Sequence, residues 1–215
     1  MILIDPRIGT AHPDIADLRP LFTLAGIDTC HEPLLSGDIS FAGNGPAGPV
    51  MVGIERKRLP DLVASIHSGR LASMQIPEMA EMYAVTYLVI EGRWRTNPDT
   101  GILEEWQEHK RFWRSITTGG HRHHMLTSEL DAFLWSVETI GGCRLRWSSC
   151  PESTVRQVAT LYRQWNKPWD HHKSFKVFAD LQTGAGLERP SLTRRVAKEL
   201  PLIGWERSRS VEGHF

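Results

Sequence analysis

Cysteine is scarce in this chain, with three residues in 215: Cys30, Cys143 and Cys150. Their number and irregular spacing exclude a disulfide framework and a four-cysteine zinc site, and they read as free thiols in a reducing, intracellular compartment, cytoplasmic or nuclear. Long apolar runs are missing as well. No stretch approaches the roughly 18 residues that a membrane span requires, and the opening Met-Ile-Leu-Ile reaches Asp5 at once, so neither a membrane step nor a secretory leader is expected. Repeats and low-complexity tracts are absent, which excludes a solenoid. There is no excess of charge of either sign, since 25 Lys and Arg stand against 25 Asp and Glu.

The neutral average argues weakly against a nucleic-acid partner, yet it hides a gradient. Residues 1–50 carry Arg7 and Arg19 against six acidic residues, whereas residues 151–215 carry 11 Lys and Arg against 7 Asp and Glu. What is present in quantity is apolar surface: 40% of the chain is hydrophobic, enough for one substantial core and a small appendage.

Punctuation by Gly and Pro divides the chain into alternating strands and helices. Met1 to Ile4 reads as a buried strand closed by Asp5-Pro6. Ile15, Leu18, Leu21, Phe22 and Ala25 follow helical spacing up to Gly26. Gly37–Phe41 and Val50–Lys57 read as strands joined by a loop or hairpin over 42–49. Pro60 opens a helix that runs to Gly69, another spans Leu71–Tyr83, and Val85–Ile90 is a strand with Glu91 at its tip. Helices near Leu126–Ile140 and Pro151–Trp165 flank a strand near Arg144–Ser148. This alternation predicts a three-layer α/β domain over 1–165. Residues 93–125 interrupt it and read as an insertion with mobile ends, with a helix over Leu103–Ile116 bearing Trp106, Phe112 and Trp113. Residues 166–190 read as a linker and 191–215 as a separate helical element.

The densest cluster of chemistry is Glu55-Arg56-Lys57, followed by Asp61 and preceded by Gly37-Asp38 on the neighbouring strand. Side chains alternate along a strand, so Glu55 and Lys57 share a face and Arg56 takes the other. Asp38, Glu55 and the Arg56 carbonyl offer oxygen donors to a hard cation such as magnesium. Lys57 beside them suits the orientation of a water and the offset of charge on a phosphate. The plainer alternative is a solvated strand end before an ordinary charged helix start. Chance produces the Glu-Arg-Lys-x-x-x-Asp pattern in only about a few chains per thousand of this length. For Arg56, a brace to Asp61 and a substrate contact are equally open. Asp61 is independently favoured at a helix start by the dipole.

Together these residues resemble the Gly-Asp…Glu-Arg-Lys-x-x-x-Asp signature of the XPF-type structure-selective endonucleases, a branch of the restriction-endonuclease-like superfamily. Asp5-Pro6-Arg7 resembles the family's first-strand Asp-x-Arg. Ser65-Ile66, Gly69-Arg70-Leu71 and Gln75 resemble its post-signature helices, and Tyr87 to Gly92 its third core strand. The likeness covers 1 to about 165. Two positions depart from it: Ile8 stands where the family often has Glu, and Ile39 where it has an aromatic.

The resemblance implies a restriction-endonuclease-like core with a mixed central sheet and metal-dependent hydrolysis of DNA near flaps, forks or branches, with Mg2+ or Mn2+ as cofactor. It makes Asp38 and Glu55 metal ligands, puts Asp5 beside the metal and sets Lys57 on the water. Arg7 is open to phosphate contact or to an ordinary surface role. Leu192 to Phe215 resembles a partial helix-hairpin-helix, whose Gly204 hairpin with Arg207 and Arg209 suits a DNA phosphate; the alternative is a helical pair packed on the main domain. A homodimer through the nuclease domain stays open. So do a non-catalytic DNA-binding scaffold and a Holliday-junction resolvase. The groups His121/His123/His124 and His171/His172 match no zinc spacing and read as loop histidines. Trp94, Trp106, Trp113, Trp165 and Trp169 suit base stacking, though core packing is the commoner fate of tryptophan.

Overall fold

Val85–Glu91 is a strand buried at every position, and a strand buried on both faces needs a layer of helices on each side. The computed structural model, which describes residues 1–7, 18–118 and 123–173, supplies both layers. In chain order the core elements are β1 (Ile2–Ile4), α1 (Arg19–Leu24), β2 (Thr29–His31), β3 (Ile39–Gly45), β4 (Gly48–Arg58), α2 (Leu59–His67), a π-helical turn (Leu71–Gln75), α3 (Ile76–Met82) and β5 (Val85–Glu91). After the β6–β10 segment come α4 (Thr127–Thr139), β11 (Arg144–Ser148) and α5 (Pro151–Asn166).

Six strands form one mixed sheet in the order β11-β5-β4-β3-β1-β2. β3 and β4 are an antiparallel hairpin in register Ile39↔Ile54, whereas β4, β5 and β11 run parallel. Leu88 and Ile90 of β5 pack into one apolar cluster with Leu59, Leu62 and Leu71 below and Leu130, Leu134 and Val137 of α4 beyond. On the other face Tyr87 meets α5, where the Trp165 indole Nε1 donates to the Tyr87 hydroxyl at 3.2 Å. The α/β expectation and its mixed sheet are met. The chain divides into two compact units, Met1–His171 and His172–Phe215; the helix-hairpin-helix expectation, with Gly204, Arg207 and Arg209, lies outside the described residues.

Three local expectations are revised. The first is a refinement: of the loop or hairpin open over 42–49 the hairpin forms, with strands β3 and β4 longer than expected and paired through to Gly45↔Gly48, leaving Pro46-Ala47 as the turn. Gly43 in β3 lets α5 approach the hairpin, a Cβ there falling 2.8 Å from the Trp165 Cβ. A short strand, β2, pairs parallel with β1 where none is predicted.

The third is a correction and concerns the insertion, which is not helical. It folds as β6 (Trp94–Thr96), β7 (Leu103–Gln107) and β8 (Phe112–Ser115) in a three-stranded antiparallel sheet, followed by the short pair β9 (Thr117–Thr118) and β10 (His123–His124). Period two wins over period 3.6. Leu103 and Glu105 turn inward, and Trp106 pairs across the hairpin with Trp113. The β7–β8 turn closes with the Arg111 N–H donating to Gln107 O at 2.7 Å.

Candidate active site

Backbone pairing brings the ends of three strands together. The Asp5 N–H donates to the Asp38 carbonyl at 2.9 Å, and the Asp38 N–H to the Ile54 carbonyl at 2.9 Å. The Arg56 N–H then donates to Asp38 Oδ2 at 2.7 Å, so the Asp38 carboxylate is seated against β4. Gly37 makes this possible with φ +77, a left-handed conformation that suits glycine, and a Cβ there would meet Ile54 O at 3.3 Å. Gly53 serves the same corner. The Tyr83 ring crosses directly over it, and the Tyr83 hydroxyl donates to Ser36 O at 2.7 Å, holding the segment that leads into Asp38.

Glu55 and Lys57 share one face of β4. The Lys57 ammonium lies 2.9 Å from Glu55 Oε1, and Gln75 Nε2 donates to the same oxygen at 2.7 Å. Glu55 is 4% exposed. Burial and the Glu55 charge push the Asp38 carboxyl up to about 7, against the opposing pull of the Arg56 amide and the Lys57 and Arg56 cations. A buried carboxylate raised by the charge of a second one is the arrangement a cation relieves.

Arg56 takes the opposite face, and its partner is not Asp61. Its Nε donates to Glu91 Oε2 at 3.0 Å and its Nη2 to Glu91 Oε1, a two-pronged pair with both side chains nearly inaccessible. Thr154 Oγ1 donates to Glu91 Oε2 at 2.5 Å and meets Ser148 Oγ at 2.6 Å. The parallel pairing of β4 with β5 decides this, because it brings the ends Arg58 and Glu91 level. Arg56 thus ties the end of β4 to that of β5 through a buried ion pair. Asp61 lies in the first turn of α2, where its charge is felt at Glu105.

Asp5 is also occupied. Its Oδ1 accepts the Arg7 N–H and Nε–H, both at 2.8 Å; its Oδ2 accepts Arg7 Nη2 at 2.6 Å and the Leu34 N–H at 3.1 Å. The Arg7 side chain holds the Asp5 carboxyl down at about 2. In turn Asp5, Asp38 and Glu55 raise the Arg7 pKa, which places this exposed guanidinium beside the carboxylate cleft.

Two participants escaped sequence reasoning as site residues, Gln75 and Glu91. Gln75 stands on the π-helical turn, and its Oε1 is buried with no hydrogen-bond partner among the described residues. π-turns collect at functional sites, but nothing in the sequence marks this one.

Among the described residues no group of three or more His, Cys, Asp or Glu gathers to hold a metal. Asp38 and Glu55 form a two-carboxylate oxygen set. That set fits a magnesium-like cation, which keeps several waters and takes one or two protein carboxylates. Asp5 stands at the adjoining strand end, where its oxygens accept from Arg7 and from the Leu34 N–H.

A mixed six-stranded sheet between helical layers, with paired carboxylates and a lysine at the ends of adjacent strands, is an α/β domain of the nuclease type. Residues 4–161 match the ERCC4 domain, and the chain belongs to that family of XPF-type nuclease domains. None of the curated proteins matches it. Among solved structures, XPF from Aeropyrum pernix is similar with a TM-score of 0.53 and 19% identity, over 76% of this chain and 60% of that one. XPF from Aeropyrum pernix in complex with DNA is similar with a TM-score of 0.50 and 20% identity, over 76% of this chain and 64% of that one. The chain thus spans less than two thirds of these relatives' length.

Proposed function

We propose that this protein is a divalent-metal-dependent endonuclease that cuts DNA near duplex-to-single-strand junctions. The observation that carries the reading is the meeting of Asp38, Glu55 and Lys57 at one strand end, with Asp38 raised by burial and by the Glu55 charge. Mg2+ or Mn2+ held by Asp38 and Glu55 would supply Lewis-acid chemistry toward a phosphate and its attacking water. Lys57, 2.9 Å from Glu55, orients the attacking water and offsets the charge gained by the phosphate oxygens. Gln75 fixes the Glu55 carboxylate by its amide N–H, and its buried carbonyl oxygen has no hydrogen-bond partner among the described residues. Arg7 adds a cation for the phosphate backbone beside the cleft. Gly204, Arg207 and Arg209 of the C-terminal element extend the DNA contact, and a second copy docks through the nuclease domain.

The test is cleavage of end-labelled 3′-flap, 5′-flap, fork and four-way-junction DNAs with Mg2+ or Mn2+, for the parent and for Asp38→Asn and Glu55→Gln. Metal-dependent cutting near the branch that both substitutions lower by about 10³-fold, with binding retained, supports the reading. Symmetric cutting confined to the four-way junction turns it into a resolvase. Binding without cutting on every substrate reduces the protein to a scaffold.

A further inference from the structure

The β6–β8 sheet leaves the domain at the same end as the cleft. Strands β4 and β5 finish level at Arg58↔Glu91, and β6 starts at Trp94 after Gly92 and Arg93. Alternation divides this small sheet into two unlike faces. The inward one carries Leu103, in the apolar core, and Trp94, packed against it. The outward one carries Arg95, Trp106 and Trp113 over Glu104, which is itself buried, with Arg93 at its start.

On that outward face aromatic rings alternate with guanidinium groups. Trp106 and Trp113 are direct cross-strand partners with ring centroids 5.2 Å apart at 60°. The Arg93 guanidinium lies 5.4 Å from the Trp106 ring and the Arg95 guanidinium 4.7 Å from that of Trp113. Both tryptophans are part-exposed, and the arginine side chains are 52% and 45% exposed. The arginines are held in place: Arg95 Nε donates to Glu104 Oε2 at 2.7 Å while Asn97 Nδ2 donates to Glu104 Oε1 at 2.9 Å, and Arg93 Nη1 donates to Glu108 at 3.0 Å.

We infer that this Trp–Arg face is a stacking surface for the unpaired strand of a nucleic acid. Flat rings offer π-faces to bases of any sequence, and guanidinium groups among them stack as cations and attract phosphates. Neither Trp106 nor Trp113 belongs to the apolar cluster of the described residues; the two rings pack on each other and against Arg93 and Arg95, with the Trp106 indole nitrogen buried and both rings part-exposed. The guanidinium planes of that face, each held by a carboxylate, offer flat polar surfaces that suit stacked bases better than an apolar protein surface. In naming the ligand as single-stranded DNA the inference rests on the proposed nuclease activity, and it assigns to the sheet the strand that leaves a junction.

The test measures binding of the full chain in EDTA, where no cleavage occurs. The probes are fluorescent oligo(dT) of about 15 nucleotides and an abasic strand of equal length, which carries the phosphates without the bases. The parent prefers oligo(dT) by about tenfold or more, the scale of one base stacked on one aromatic ring, and its tryptophan emission is quenched by oligo(dT) alone. Trp106→Ala and Trp113→Ala each bring the preference to within about twofold. Trp106→Phe and Trp113→Phe, which keep a ring and the strand pairing, retain the preference while each loses part of the quenching, and the double Phe variant loses it. Equal affinity of the parent for both strands overturns the proposal. So does a preference unchanged in the Ala variants, or binding of neither strand with a dimer that Trp113→Ala dissociates in sedimentation. Cleavage of flap DNA by the same preparation with Mg2+ reports on the nuclease reading separately: stacking without cutting leaves this surface standing and removes only that activity.

Discussion

The two faces of strand β4 carry the same kinds of charge and put them to opposite uses. On one face Arg56 is locked to Glu91, which also takes the Thr154 hydroxyl, itself in contact with Ser148. Every acceptor oxygen of Glu91 there has a donor. On the other face Glu55 shares one oxygen between Lys57 and Gln75, Asp38 is raised toward neutrality, and Gln75 Oε1 has no partner among the described residues. A buried network that is complete holds a fold in one arrangement; one left incomplete keeps capacity for a ligand. Position on the strand, one residue apart, separates the two roles.

The comparison breaks most visibly on the sealed face. Glu91→Ala leaves the Arg56 guanidinium buried without a counter-charge and is expected to cost about 3–5 kcal/mol in urea unfolding. The paired replacement Arg56→Met with Glu91→Leu removes both charges and recovers most of that loss. If Glu91→Ala costs less than about 1 kcal/mol, the pair is not the brace described here.

On the open face the sign reverses. Asp38→Asn keeps an acceptor for the Arg56 amide and removes the charge that burial and Glu55 oppose, so it stabilises the metal-free protein at pH 8, by on the order of 2 kcal/mol. Because the folded Asp38 titrates at about 7, above the 3.8 of an unperturbed aspartate, the native state holds the extra proton between these values. Stability from this group is therefore full below about pH 4, falls as pH rises to about 7 and is flat above. Asp5 acts in the other direction: its carboxyl at about 2 contributes stability above 3.8 that is lost as pH falls through about 2. Chemical denaturation of the parent, Asp38→Asn and Asp5→Asn across pH 2–8 in EDTA separates the two, and an Asp38→Asn curve that parallels the parent above pH 4 contradicts the assignment.

The smallest effect belongs to Gln75. Its loss leaves Glu55 with Lys57 and removes an acceptor that had no partner, so Gln75→Ala changes stability by less than about 1 kcal/mol while lowering cleavage by about tenfold. A stability loss as large as that of Glu91→Ala would move Gln75 to the sealed network.

Much of this was legible before any coordinates. The period of two places Glu55 with Lys57 and Arg56 across from them, Pro60 and Pro151 mark helix starts, and the strand Arg144–Ser148 lies between the Gly141-Gly142 break and Pro151. Partners were not legible. Arg56 finds Glu91 rather than Asp61 through the parallel pairing of two strands with 35 residues between the partners, which no local pattern encodes. Asp5 turns to Arg7, an interaction two residues away that competes with any ligand for the same oxygens. The insertion misled because Leu103, Trp106, Trp113 and Ile116 suit a helical face as well as a hairpin, and only the cross-strand Trp106↔Trp113 contact decides between them.

The most direct test is titration of Mn2+ into the metal-free protein by calorimetry, comparing the parent with Asp38→Asn, Glu55→Gln and the Arg56→Met/Glu91→Leu pair. The account predicts one bound ion in the parent and in the paired variant, with affinity that strengthens as pH rises toward about 7, and loss of that ion in both single variants. Undiminished binding in Asp38→Asn and Glu55→Gln would contradict it.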